Sequence, residues 1–181
     1  AAAFAHNTAG KSGSGRGIAT GRHRSRVSGA PEVFGELPVT CLSEEIETAG
    51  PGQVRALIAI ACNPVLSMPG GARLSAALDT LEFMVSLDIY LNETSRHADV
   101  ILPGPSPLED SHYDAPFPQL SFRNHARYSG AVFAAPPGQP PEWQNLLRLA
   151  VIVLGRGAGA DVQALDDEGV EAEVRKFAGD H

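Results

Sequence analysis

Cysteine is scarce in this sequence: only Cys41 and Cys62 occur, 21 positions apart and outside any C-x-x-C pattern. No disulfide framework, zinc ribbon or iron–sulfur cluster can be built from this chain alone, and so few thiols suit a reducing, cytoplasmic compartment. Long hydrophobic runs are missing as well. Runs such as Ala56 to Cys62, and Leu149 to Leu154 after Arg148, fall far short of the roughly 18 apolar residues of a membrane span, so no membrane segment is expected. Positive charge is the minority sign, with 14 Lys and Arg against 21 Asp and Glu for a net charge of -7. A nucleic-acid partner is therefore not expected, because such binding needs a basic face to displace counterions. The six histidines, at 6, 23, 97, 112, 125 and 181, show no H-x-x-x-H spacing, and no G-x-S-x-G elbow occurs. Ala1 to Ala5 is too short for a signal core, has no basic segment before it, and does not begin with Met; the expectation is an internal piece of a longer chain.

What is present is the composition of a loop-rich globular chain: 181 residues, 43% hydrophobic and 19% charged, with 19 Gly and 14 Pro. Charge is unevenly placed. Residues 1–30 hold Lys11, Arg16, Arg22, Arg24 and Arg26 and no acid, which leaves -12 for the remainder. Residues 1–35 read as a basic Gly/Arg-rich linker, either lying along an anionic partner or simply solvated, with regular structure starting near Val33. Residues 36–181 read as one domain.

Within that domain the periodicity alternates between strand and helix. Leu42, Ile46 and the acids Glu44, Glu45 and Glu47 predict a short helix ended by Gly50-Pro51-Gly52. Val54 to Ala61 is a near-continuous apolar run, as in a parallel strand covered on both faces. Leu74, Ala77, Leu78 and Leu81 give an amphipathic helix over 71–81. Phe83 to Leu87 predicts a second strand, 90–96 a short helical crossover, and Ala98 to Leu102 a third strand stopped by Pro103. The fold class is therefore α/β, an open parallel sheet with flanking helices. Residues 103–141 hold nine prolines without a period and predict a long Pro-rich excursion over another surface. Pro141-Glu142 opens a further helix that Gly155 ends, and a last acidic helix starts near Asp161, is interrupted at Gly169, and turns Val170, Val174 and Phe177 inward.

Several motif-like strings carry little. Gly10-Lys11-Ser12 ends like a phosphate loop, but Ala5 stands where that pattern needs glycine. Gly155-x-Gly157-x-x-Ala160 fits a relaxed dinucleotide fingerprint, yet the apolar spacing upstream is helical, which favours a helix cap. Tyr113, Phe117, Phe122, Tyr128 and Phe133 read as anchors for the Pro-rich segment.

The informative residues sit at the strand ends, where open parallel sheets bind ligands. These are Cys62-Asn63-Pro64, then Asp88, then Pro103-Gly104. A carboxylate at Asp88 can accept hydrogen bonds from ribose hydroxyls or from the N1–H and N2–H₂ donors of guanine, and Thr94 offers a hydroxyl where phosphate is favoured. Capping roles for both residues are the alternative.

Asn63-Pro64, the following helix, then Val85-Ser86-Leu87-Asp88-Ile89-Tyr90-Leu91-Asn92-Glu93-Thr94-Ser95-Arg96-His97-Ala98-Asp99-Val100-Ile101-Leu102-Pro103 and Glu109 together resemble the molybdopterin oxidoreductases of the dimethyl sulfoxide reductase superfamily. The resemblance runs from about Arg22 to Leu154. It implies the family's third, Rossmann-like domain, one of two units that clamp a bis-molybdopterin guanine dinucleotide carrying molybdenum or tungsten. On that resemblance Asp88 would hold the guanosine end of one dinucleotide, Cys62 and Asn63 would approach it with their backbone, and Glu93 and Thr94 would border the pyrophosphate or pterin. Asp99 is expected to act through local capping.

Departures from the family pattern are visible. Cys62 stands immediately before Asn-Pro, where the resemblance leads one to expect glycine; Asn92 stands where threonine is common; and Asp110-Ser111-His112-Tyr113-Asp114 lacks the pattern common in formate and nitrate enzymes. The metal ligand, the four-cysteine motif of an iron–sulfur cluster and the C-terminal domain are implied to lie on other parts of a longer subunit. The implied partners are those remaining domains and an electron-transfer subunit. A non-catalytic nucleotide-binding module and a protein-interaction domain are the competing readings.

Overall fold

The computed structural model describes residues 20–33, 35–114, 127–155, 157 and 161–178. Gly10-Lys11-Ser12, Phe117, Phe122 and the side chains of Val170, Val174 and Phe177 lie outside what is described.

Regular structure starts before Val33, which corrects the expectation of a linker up to residue 35. Strands β1 (Thr20–Arg24) and β2 (Pro31–Val33) pair antiparallel. Charge holds this hairpin together. Glu32, 1% exposed, accepts from the Arg22 backbone N–H at 3.0 Å and from the Arg22 guanidinium at 2.7 Å. Arg26 donates to Glu45 at 3.1 Å and to the Thr48 carbonyl at 2.6 Å, which ties the hairpin to α1 (Leu42–Glu47). The described basic residues of that segment, Arg22, Arg24 and Arg26, thus all have internal partners.

The centre is a three-stranded parallel sheet of β3 (Ala56–Ile60), β4 (Phe83–Leu87) and β5 (Val100–Ile101), with β4 in the middle. Between β3 and β4 run α2 (Pro64–Ser67) and α3 (Gly71–Leu78). Parallel strands require such a crossover, and the expected α/β class is observed. Leu74, Ala77 and Leu78 of α3 pack with Ile46 of α1 and with Ala59 and Met84 of the sheet. Asp99 receives the Met84 N–H at 2.7 Å and returns its own N–H to the Met84 carbonyl at 2.9 Å, a local tie at the start of β5.

The opposite sheet face is only partly covered. Val85 and Leu87 are buried there, whereas their neighbours Ile58, Ile60 and Phe83 are 42%, 47% and 47% exposed. Beyond β5, the short strands β6 (His112–Tyr113) and β7 (Tyr128–Ser129) pair antiparallel. Helices α4 (Glu142–Val153) and α5 (Val162–Ala178) follow. Gly155, at φ 82°, takes the left-handed cap after α4, so the relaxed dinucleotide fingerprint is a helix end. Helix α5 passes through Gly169 without the expected break. A Cβ there would lie 3.0 Å from Leu147 Cδ2 of α4, so the glycine serves a close helix approach. Among the described residues no helix is long and apolar enough to cross a membrane.

Candidate ligand-binding site

The carboxyl ends of β3 and β4 open onto a cavity of about 290 Å³. Four of its lining residues come from the sheet: Ala61, just past β3, and Leu87, Asp88 and Ile89 at the end of β4. Ala61 has φ 46°, the left-handed region, and is the one non-glycine residue there among the described residues. Its N–H still bonds the Leu87 carbonyl at 2.8 Å, so the turn away from the sheet begins while the ladder is intact. The special backbone position is therefore Ala61, one residue before the Cys62 at which the sequence suggested it. Cys62 is an exposed free thiol and does not line the cavity.

Asp88 faces this cavity with its carboxylate already oriented. One oxygen accepts the Tyr90 N–H at 2.9 Å and the other accepts the Asn92 amide at 2.7 Å. An ionised carboxylate has about four acceptor sites, so both the capping role and the ligand role considered from sequence can be served at once.

Asn63, Glu93 and Thr94 form an adjoining network that bridges the first and second strand ends. Asn63 donates to Glu93 at 2.7 Å and accepts from the Thr94 hydroxyl at 2.8 Å; that hydroxyl in turn accepts the Val65 N–H at 3.0 Å. The hydrogen bond from Asn63 holds the Glu93 carboxyl below its ordinary range. Thr94 is fully buried, so its hydroxyl acts through Asn63. Of the five site residues singled out from sequence, Asp88 lines the cavity, three make this supporting network, and Cys62 does neither.

Apart from Gly104, which the sequence already placed at the third strand end, the rest of the cavity wall was not anticipated. Gly104, Pro105 and Pro107 line it, followed by Asp110, Ser111 and His112, and Glu142 at the start of α4 completes it. Prolines cannot continue a strand ladder, so the chain leaves the sheet after β5 and folds back across the strand ends. It is fastened there by Gln139, which donates to the Gly104 carbonyl at 2.7 Å, and by the Val132 and Phe133 N–H groups on the Leu108 carbonyl at 2.8 and 2.9 Å. Glu109, the acid named in the resemblance, accepts the Ser106 N–H at 3.0 Å and closes the turn between them. The expected excursion over another surface is thus, for its described part, a wall of this site.

Chemically the described lining of the cavity has an apolar floor and an acidic side. Among the described residues Asp88, Asp110 and Glu142 line it, and no Lys or Arg does. Among the described residues no cluster of three or more His, Cys, Asp or Glu could hold a metal ion. Such a set of acceptors suits a flat ligand that presents N–H and O–H groups, and it disfavours an inserted phosphate.

A family model described as molybdopterin oxidoreductase matches residues 3–114. The chain is 36% identical over 101 residues to an assimilatory nitrate reductase catalytic subunit from Bacillus subtilis, covering 52% of this chain and 14% of that protein. It is 28% identical over 137 residues to an F420-dependent formate dehydrogenase subunit alpha from Methanocaldococcus jannaschii, covering 75% of this chain and 19% of that protein. It is 38% identical over 58 residues to an NADPH-Fe(3+) oxidoreductase subunit alpha from Geobacter sulfurreducens, covering 32% of this chain and 7% of that protein. The chain thus spans less than a fifth of the length of each of these relatives.

Proposed function

Because the chain belongs to the molybdopterin oxidoreductase family, we propose that residues 36–181 form a Rossmann-like unit that holds the guanosine end of one arm of a bis-molybdopterin guanine dinucleotide. The observation that carries this reading is the position of Asp88: at the end of the middle strand, pre-oriented by Tyr90 and Asn92, and facing a cavity with an apolar floor. A carboxylate there matches the paired N1–H and N2–H₂ donors of guanine. Leu87, Ile89 and Pro105 offer the base an apolar surface. Asn63, Glu93 and Thr94 fix the two turns beside it and act as positioning residues.

When bound, the group supplies two-electron redox chemistry at molybdenum or tungsten, while the protein supplies binding, orientation and exclusion of competing partners. The relatives are named as a catalytic subunit and as alpha subunits, and on this reading the chain's partners are further domains of one large subunit, which would carry the iron–sulfur cluster, and an electron-transfer subunit. The exposed flank of the sheet supports this: parallel sheets are ordinarily covered on both faces, and Ile58, Ile60 and Phe83 stand open. Two free cysteines suit the cytoplasm. In isolation the chain is a binding unit without catalysis.

Equilibrium dialysis of the 181-residue chain against GMP and AMP tests this. The expected outcome is binding of GMP at least about tenfold tighter than AMP, one charge-assisted contact being worth that much. Equal binding of the two nucleotides, or none of either, contradicts it.

A further inference from the structure

Two carboxylates of unlike exposure line the strand-end cavity. Asp88 stands between Leu87 and Ile89 and is half-buried, with both oxygens fixed by its own turn. Glu142 is exposed, at the first position of α4. Its carboxylate has no hydrogen-bond partner among the described residues, whereas Asp110, also in the wall, accepts the Ser111 N–H at 2.7 Å. A nucleoside entering base-first meets the floor with its base, and its ribose stops at the rim. The phosphates then remain outside, since the described lining offers them carboxylates and neither Lys nor Arg.

We propose that Glu142 is a specificity-determining residue that accepts the cis-diol of the ribose while Asp88 reads the base. This rests on the guanosine reading above and adds to it a second acceptor, drawn from α4 rather than from the sheet. A carboxylate can take both hydroxyls of a cis-diol side by side, and 2′-deoxyribose offers only one of them. Glutamate at a first helical turn is also favoured by the helix dipole, and that role alone predicts no selectivity between sugars.

The test is binding of guanosine, 2′-deoxyguanosine and adenosine to the 181-residue chain, as wild type, Glu142→Ala and Asp88→Asn, by isothermal titration. The wild type should prefer guanosine to 2′-deoxyguanosine by about tenfold. Glu142→Ala should lose that preference and keep the preference for guanosine over adenosine. Asp88→Asn should show the reverse pattern. If Glu142→Ala keeps the full ribose preference, or weakens guanosine and 2′-deoxyguanosine equally, the assignment of Glu142 is overturned while the guanine reading stands. A wild type that binds guanosine no better than adenosine removes the guanine reading and, with it, this inference.

Discussion

The Thr94 hydroxyl donates to Asn63 Oδ1 at 2.8 Å and accepts the Val65 N–H at 3.0 Å, so one buried oxygen joins the turn after β4 to the turn after β3. The two strand ends that form the floor of the cavity are thereby held in a single register. Asn63 extends the link to Glu93 at 2.7 Å, and Asn92 receives the Thr94 and Ser95 N–H groups at 2.9 and 2.8 Å while donating to Asp88. A continuous set of hydrogen bonds therefore runs from the first turn to the ligand-facing carboxylate.

Thr94→Val keeps the shape of the side chain and removes this joint. It leaves the Val65 N–H and Asn63 Oδ1 without their partner in a buried setting, which costs about 1–3 kcal/mol. Urea unfolding should show a lower midpoint with an unchanged slope. A midpoint equal to wild type contradicts the bridging role.

Ala61 carries a left-handed backbone that disfavours any side chain. Ala61→Gly relieves a penalty of roughly 1–2 kcal/mol at some cost in chain entropy, for a net gain of about 0.5–1 kcal/mol. Ala61→Val should be destabilising, because a branched side chain suits positive φ still less. Thermal melts of the pair should move in opposite directions, and a shift of the same sign in both would contradict the φ assigned to Ala61.

Gly71 opens α3 where no side chain fits: a Cβ would stand 1.9 Å from the Val65 carbonyl oxygen. Gly71→Ala must displace backbone in the α2–α3 turn, at a cost of about 1–3 kcal/mol despite the better helix propensity of alanine. Chemical denaturation measures this directly. A stabilised variant would show that the two helices sit further apart.

The hairpin should report on acid. Arg22 holds the Glu32 carboxyl at about 2 against an ordinary 4.5, chiefly through its side-chain hydrogen bond, with the Gly35 and Arg22 N–H groups adding to the effect and burial opposing it. A depressed carboxylate contributes stability that is complete above its unfolded value and lost as pH falls through the folded one. The melting-temperature gap between wild type and Glu32→Gln should therefore be constant above about pH 4.5 and close on the way down to about pH 2. A gap that persists unchanged at the acid end would rule out the ion pair as its source.

The central sheet was legible because its signals are local. Val54 to Ala61 and Phe83 to Leu87 are short apolar runs bounded by turn residues, and Leu74, Ala77 and Leu78 mark one face of a helix. The hairpin at 20–33 was hidden because its stability comes from pairs that periodicity does not register, Arg22 with Glu32 and Arg26 with Glu45. The glycine within an unbroken α5 answers to Leu147 in a different helix, which a Cβ at Gly169 would crowd. Asp88 could be found from its place at a strand end. Glu142 could not, since only the return of the chain over the strand ends brings α4 to the cavity; the Pro-rich stretch signalled departure from the sheet but not its destination.

A ¹⁵N-labelled chain titrated with GMP and followed by amide chemical shifts tests the central claim most directly. Saturable changes should concentrate at Ala61, at 87–89, at Gly104, at 110–112 and at Glu142, the described lining residues with amides, and they should be lost in Asp88→Ala. Shifts confined to other surfaces, or an unaltered pattern in Asp88→Ala, would contradict the assignment of this cavity as the seat of the guanosine.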